Sequence, residues 1–107
     1  MKRGSVVTVA VQGDFGKARP ALVVQSDLFA DHTTVAVLPM SSTIVDAPLI
    51  RIDVEPSDQN GLHTLSQIAI DKMFTVRREK IGSAIGQLED ETMIAVNRAM
   101  VVFFGLA

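Results

Sequence analysis

The sequence predicts a mainly β chain, a small and mostly antiparallel barrel or sheet closed by one C-terminal α-helix. Three observations point there. Short β-branched runs recur along the first four-fifths of the chain. Clusters of Gly, Pro, Asn, Asp and Ser separate them. Only after Glu89 does the apolar spacing change to three and four.

Residues 5–11 (Ser-Val-Val-Thr-Val-Ala-Val) form the first predicted strand, and residues 12–18 a loop containing Gly13 and Gly16. Pro20 removes a backbone donor and pushes Arg19 into an extended conformation, so the pair belongs at the start of a second strand, 20–25. Residues 33–38 make a third strand, broken at Pro39 and followed by the polar run Ser41-Ser42-Thr43. Residues 49–54 alternate apolar and charged side chains, as a half-buried strand does. A turn over 55–61 leads to a strand over 62–70, and residues 80–84 form a short one. Glu89, Asp90 and Glu91 then suit a helix N-terminus. Met93, Val96, Met100 and Phe103 or Phe104 share its buried face, and Gly105 stops it.

At 107 residues the chain is one domain, 1–107, and no apolar run approaches the roughly 18 residues that suggest a membrane span. Its 48% hydrophobic content leaves apolar surface that a second subunit would cover. With no cysteine and only His32 and His63, neither a disulfide nor a convincing zinc site is expected, and no metal or cofactor is implied. The N-terminus lacks a signal-peptide core, so a cytoplasmic protein is expected. A net charge of −2 argues against bulk, sequence-blind nucleic-acid binding. It leaves room for local basic sites: Lys2, Arg3, Lys17 and Arg19, and a second group of Lys72, Arg77, Arg78 and Lys80 that reads equally well as a solvated face.

An arginine held at the mouth of a strand, below a glycine-bearing loop, is placed to grip phosphate in a fork, although a lone Arg-Pro is more often a solvated strand start. The surrounding motifs shift that balance. Arg3-Gly4, Gly16-Lys17-Ala18-Arg19-Pro20, Val24-Gln25-Ser26-Asp27, Leu38-Pro39-Met40-Ser41-Ser42, and Ser66-Gln67 leading to Ile70-Asp71-Lys72 occur in this order. Together they resemble the MazF/PemK toxins of the CcdB/MazF superfamily over nearly the whole chain. The resemblance implies an SH3-like barrel, a homodimer, and sequence-selective endoribonuclease activity on single-stranded RNA. It also implies neutralisation by a cognate antitoxin. Arg19 matches the family's catalytic arginine, Ser41 and Ser42 its hydroxyl residues after the third strand, and Gln67 a glutamine common at that position. Thr64 and Ser66 depart from members that carry an acid–base pair there, so that version of the mechanism does not transfer.

The chemistry stands on its own terms. RNA is cut without metal when its 2′-hydroxyl attacks the adjacent phosphorus, which loads negative charge on the phosphorane oxygens. A preorganised cation and hydrogen-bond donors are the most useful things a protein supplies there. Arg19 carries five donors and never deprotonates, so it stabilises charge and is a poor base. Ser41, Ser42 or Thr43 can donate to a second oxygen, and Lys17 adds positive potential. Lys17, Asp14, Thr43, Thr64, Ser66 and Gln67 complete the expected RNA-binding set. Asp14 and His63 are the candidate bases; strand alternation turns His63 away if Thr64 and Ser66 face the site. Ser41-Ser42-Thr43 can equally be turn chemistry, and Gln67 can serve only to satisfy buried backbone.

Two other readings stay open: a binding relative that has lost catalytic activity, and a poison of DNA gyrase. CcdB poisons DNA gyrase through its C-terminal residues, and this chain ends Phe104-Gly105-Leu106-Ala107. The Arg19-Pro20 pair and the Lys17 loop are features that such a poison does not need.

Overall fold

The uninterrupted apolar runs of the N-terminal half become strands buried on both faces. A computed structural model describes residues 1–10 and 17–106. In it β1 (Ser5–Ala10), β2 (Ala18–Val23) and β3 (Thr34–Ser41) form an antiparallel spine. Successive side chains point to opposite faces. Val6, Leu22 and Leu38 therefore enter one apolar cluster, while Val7, Val23 and Val37 enter a second. Neither face is left for water, which is why these strands show no polar alternation.

The remaining strands are β4 (Arg51–Val54), β5 (Ser66–Ala69), β6 (Phe74–Arg77) and β7 (Ile81–Gln87). The order across the sheet is β4-β5-β3-β2-β1-β7, with β6 also on β3. β3 changes partner along its length: its first half pairs with β6 and its end with β5. The expected break at Pro39 does not occur. Pro39 falls between Val37, the last residue paired to β6, and Met40, the first paired to β5. A residue without an N–H is tolerated at such a gap.

The mainly β architecture with a C-terminal helix is as expected, but β4 and β7 end the ladder, so its strand pairings do not close among the described residues. The helix α1 (Asp90–Phe104) packs on the first cluster through fully buried Val96, flanked by Met93, Ala99 and Met100. Gly105 ends it in the left-handed conformation, φ +69°, its N–H on the carbonyls of Val101 and Val102. Phe103 and Phe104 depart from the expected buried face, standing 45% and 39% exposed and stacked edge to face.

Other differences are local. β2 begins earlier, at Ala18, and the strand expected over 62–70 is only Ser66–Ala69. β6, flanked by short 3-10 turns at Ile70–Lys72 and Arg78–Lys80, was not anticipated. No helix among the described residues is long and apolar enough to cross a membrane.

Several motif residues prove to be fastenings. Arg3 donates from Nε to the Val24 carbonyl (2.8 Å) and from Nη2 to Asn97 Oδ1 on α1 (2.8 Å). Its backbone N–H donates to Asp27 Oδ1 (2.8 Å). Gln25 continues the β2 side of the ladder with its side chain, accepting from Ala36 N (3.0 Å) and donating to the Thr34 carbonyl (3.0 Å).

Candidate active site

A cleft of about 880 Å³ opens where the ends of β2 and β3 meet the segment ahead of β5. β2 supplies Arg19 and Pro20; the end of β3 and its continuation supply Pro39, Met40, Ser41, Ser42 and Thr43. Residues 61–64 and Ser66 form the facing wall, with Lys72 and Phe74 beyond it, and Thr8 and Ile85 complete the lining. The volume is in the range of small-ligand sites.

Each polar side chain is there for a local reason. The Arg19-Pro20 pair lies at the start of β2, where Arg19 is exposed and opposite Val9 of β1. Past β3 the chain turns on an internal hydrogen bond, Thr43 N–H to Ser41 Oγ (3.0 Å), which presents Ser42 and Thr43 as exposed hydroxyls. Ser66 is buried, with its Oγ donating to the Thr64 carbonyl (3.1 Å), while Thr64 is exposed. The cleft thus gathers Arg19, Ser41, Ser42, Thr43, Thr64 and Ser66.

The expected set is altered in three places, and one of its members lies outside the described residues. Gln67 is not in the cleft. It is only 5% exposed and turned to the opposite side, where it fastens the segment around Val45. Its Nε2 donates to the Val45 carbonyl (2.9 Å) and Asp53 Oδ1 (2.8 Å), and its Oε1 accepts from Val45 N (3.0 Å). Adjacent strand residues face opposite ways, so Ser66 and Gln67 cannot both serve the cleft. Lys17 is exposed just ahead of β2 but is not among the lining residues. Asp14, with the Gly13 and Gly16 loop, lies outside the described residues. His63 does line the cleft: residues 63 and 64 precede β5, where strand alternation does not apply.

Lys72 was missed as a lining residue, although the motif ending Ile70-Asp71-Lys72 contained it. The short 3-10 turn at Ile70–Lys72 buries Ile70 and leaves Lys72 exposed at the cleft. Asp71 beside it is engaged by Arg51, with Lys72 Nζ 4.0 Å from its other oxygen. Among the described lining residues there is no carboxylate, only Arg19, Lys72 and the His63 imidazole with the hydroxyls. In a chain of net charge −2 the described lining is therefore locally cationic. Among the described residues, no group of three or more His, Cys, Asp or Glu is placed to hold a metal ion.

Residues 2–104 match the family model described as PemK-like, MazF-like toxin of type II toxin-antitoxin system. The chain is 41% identical to a probable endoribonuclease MazF of Mycolicibacterium smegmatis over 108 residues, covering 100% of this chain and 99% of that protein. Its fold resembles an endoribonuclease in complex with its cognate antitoxin from a mycobacterial species (TM-score 0.83, 24% identity, 100% of this chain and 97% of that one). It also resembles the Mycobacterium tuberculosis toxin MazF-mt6 (TM-score 0.80, 24% identity, 94% and 96% covered).

Proposed function

The chain belongs to the PemK-like, MazF-like toxin family of type II toxin–antitoxin systems, and from that premise we propose that it is a metal-independent endoribonuclease that cuts single-stranded RNA. One observation carries the reading. The cleft brings Arg19 and Lys72 together with Ser41, Ser42, Thr43 and Thr64, a cationic surface edged by hydroxyl donors. A phosphodiester backbone is the natural occupant of such a surface.

In the proposed reaction the substrate's 2′-oxygen attacks phosphorus, the P–O5′ bond breaks, and a 2′,3′-cyclic phosphate and a 5′-hydroxyl result. The proton lost by the 2′-hydroxyl is balanced by one gained at O5′. Arg19 holds the non-bridging oxygens as their charge grows, and Ser41 or Ser42 donates to them. Lys72 supports the flanking backbone. His63, the imidazole of the described lining, serves the proton transfers.

The family setting extends the proposal to a cytoplasmic toxin, a homodimer, and a cognate antitoxin that covers this cleft. A gyrase poison is disfavoured, because the ending that prompted it is a helix stop built on Gly105.

The test is Arg19→Ala with a long single-stranded RNA. Cleavage should fall about 100-fold or more, as for loss of a preorganised oxyanion donor, while RNA affinity falls modestly. Arg19→Lys should rescue poorly, because a point charge does not reproduce the fork. A 2′-deoxy substitution at the cut site should block cleavage, and chelators should have no effect. A folded Arg19→Ala variant that cuts at the wild-type rate overturns the proposal.

A further inference from the structure

The cleft wall over residues 61–65 precedes β5, so strand pairing does not hold it. Leu62, buried in the first apolar cluster, anchors it on one side, and a polar knot centred on buried Asn60 fastens it on the other. Asn60 is fully buried, yet all its side-chain hydrogen-bonding groups are engaged. Its Nδ2 donates to the Glu55 carbonyl (2.9 Å) and to Glu89 Oε1 (3.1 Å). Its Oδ1 accepts from Ser57 N (3.0 Å) and from Leu62 N (3.0 Å), the second bond reaching into the wall itself. Glu89, the residue before α1, takes Ser57 Oγ on its other oxygen (2.6 Å).

The main chain beside Asn60 is equally tied. Gln87 N donates to the Gln59 carbonyl (2.9 Å), and Gly61 adopts φ +73° with the Ile85 carbonyl close against it. Asn60, Ser57 and Glu89 do not themselves line the cleft. They join its wall to the end of β7 and the start of α1.

We infer that Asn60 and Glu89 are positioning residues for the cleft, fixing the wall that presents His63 and Thr64 opposite Arg19. The physical ground is that a fully satisfied network around a buried amide holds one arrangement, whereas leaving that amide unpaired is costly. Its loss would loosen residues 61–65 locally, leaving them the anchor of Leu62 in the first apolar cluster but no hydrogen bonds to the end of β7 and the start of α1. The activity arm of the test rests on the ribonuclease reading; the exchange arm does not.

The decisive variant is Asn60→Asp, which keeps the shape and the acceptor but sets a carboxylate against Glu89. Amide exchange over residues 61–65 should accelerate about tenfold or more relative to β2. In the folded variant kcat on RNA should drop about ten- to hundredfold, with KM changed less than about threefold, the pattern of a misplaced wall. Adding Glu89→Gln should restore part of the loss, since the amide introduced at position 89 can donate to the carboxylate introduced at position 60. A purely structural role would move the unfolding midpoint and leave kcat per folded molecule unchanged. That result overturns the inference, as does unchanged exchange over residues 61–65, or a double variant no better than Asn60→Asp alone. If the wild type cuts no RNA, the ribonuclease reading fails and the exchange result alone decides.

Discussion

Gln67→Leu separates a structural glutamine from an RNA contact. The substitution nearly conserves volume and removes three hydrogen bonds, two to Val45 and one to Asp53. At about 1 kcal/mol net for each bond, about 3 kcal/mol is at stake. Val45 is 45% exposed and Asp53 is exposed, so water can take the freed groups and no large burial penalty is added. A leucine in this buried position returns about 1 kcal/mol by transfer from water. The net loss is about 2 kcal/mol, equivalent to a fall of roughly 10 °C in Tm for a domain of this size. Urea and thermal melts measure the stability, and cleavage per folded molecule measures the function. The expected outcome is a less stable protein with wild-type cleavage below its melting range. An unchanged midpoint with lost RNA affinity would refute the reasoning and return Gln67 to the binding surface.

Gly86→Ala should destabilise by about 3 kcal/mol or more, seen in urea melts, because a Cβ there would lie 2.3 Å from the Asn60 carbonyl carbon and 2.5 Å from the Gln59 oxygen, both unyielding backbone. Ser57 Oγ, and to a lesser degree Asn60, hold the Glu89 carboxyl below its ordinary value near 4.5, against an opposing effect of burial. A depressed folded value contributes stability above the ordinary value and loses it as pH falls through the folded one. The advantage of wild type over Glu89→Gln at neutral pH should therefore shrink in acid melts below about pH 4.5. Lys72→Ala should weaken RNA binding and lower the slope of log affinity against log salt by about 0.7, the value for one contact to a single-stranded phosphate. An unchanged slope would remove Lys72 from the RNA path.

The helix was legible because its apolar spacing, acidic first turn and terminal glycine agree with one another. The spine strands were legible because two buried faces leave long runs of Val, Leu and Ala. β6 escaped notice because Phe74–Arg77 is four residues long and sits beside charges, and only pairing with β3 makes it a strand. Pro39 was misleading for a related reason: a gap between two partners on one strand edge is a tertiary fact that the local sequence does not carry. Arg19 and the serines at the end of β3 could be named from their neighbours. His63 was named as a candidate base but turned away by an alternation that does not reach it, and Lys72 was named without being placed at the cleft, since a loop and a 3-10 turn position them and neither follows a fixed period. Gln67 shows the opposite hazard. The sequence showed a glutamine beside Ser66, and only the pleat decides which of the two turns inward.

The pairing of β1 with β7 sets the order of events during synthesis. The fifth residue of the chain meets the eighty-seventh, Ser5 opposite Gln87, and Arg3 waits for Asn97 on the final helix. Ile85 belongs to the cleft itself, and the wall over residues 61–65 is fastened to Gly86 and Glu89. A nascent chain that has passed Arg19 and both serines therefore has the proposed phosphate-gripping groups without the architecture that aims them, and contacts this distant in sequence form slowly. Ribosome-bound chains stalled before Ile81 should leave RNA uncut and be readily digested by protease. On the proposed reading, the RNA-cutting cleft would form only once β7 and α1 have been made.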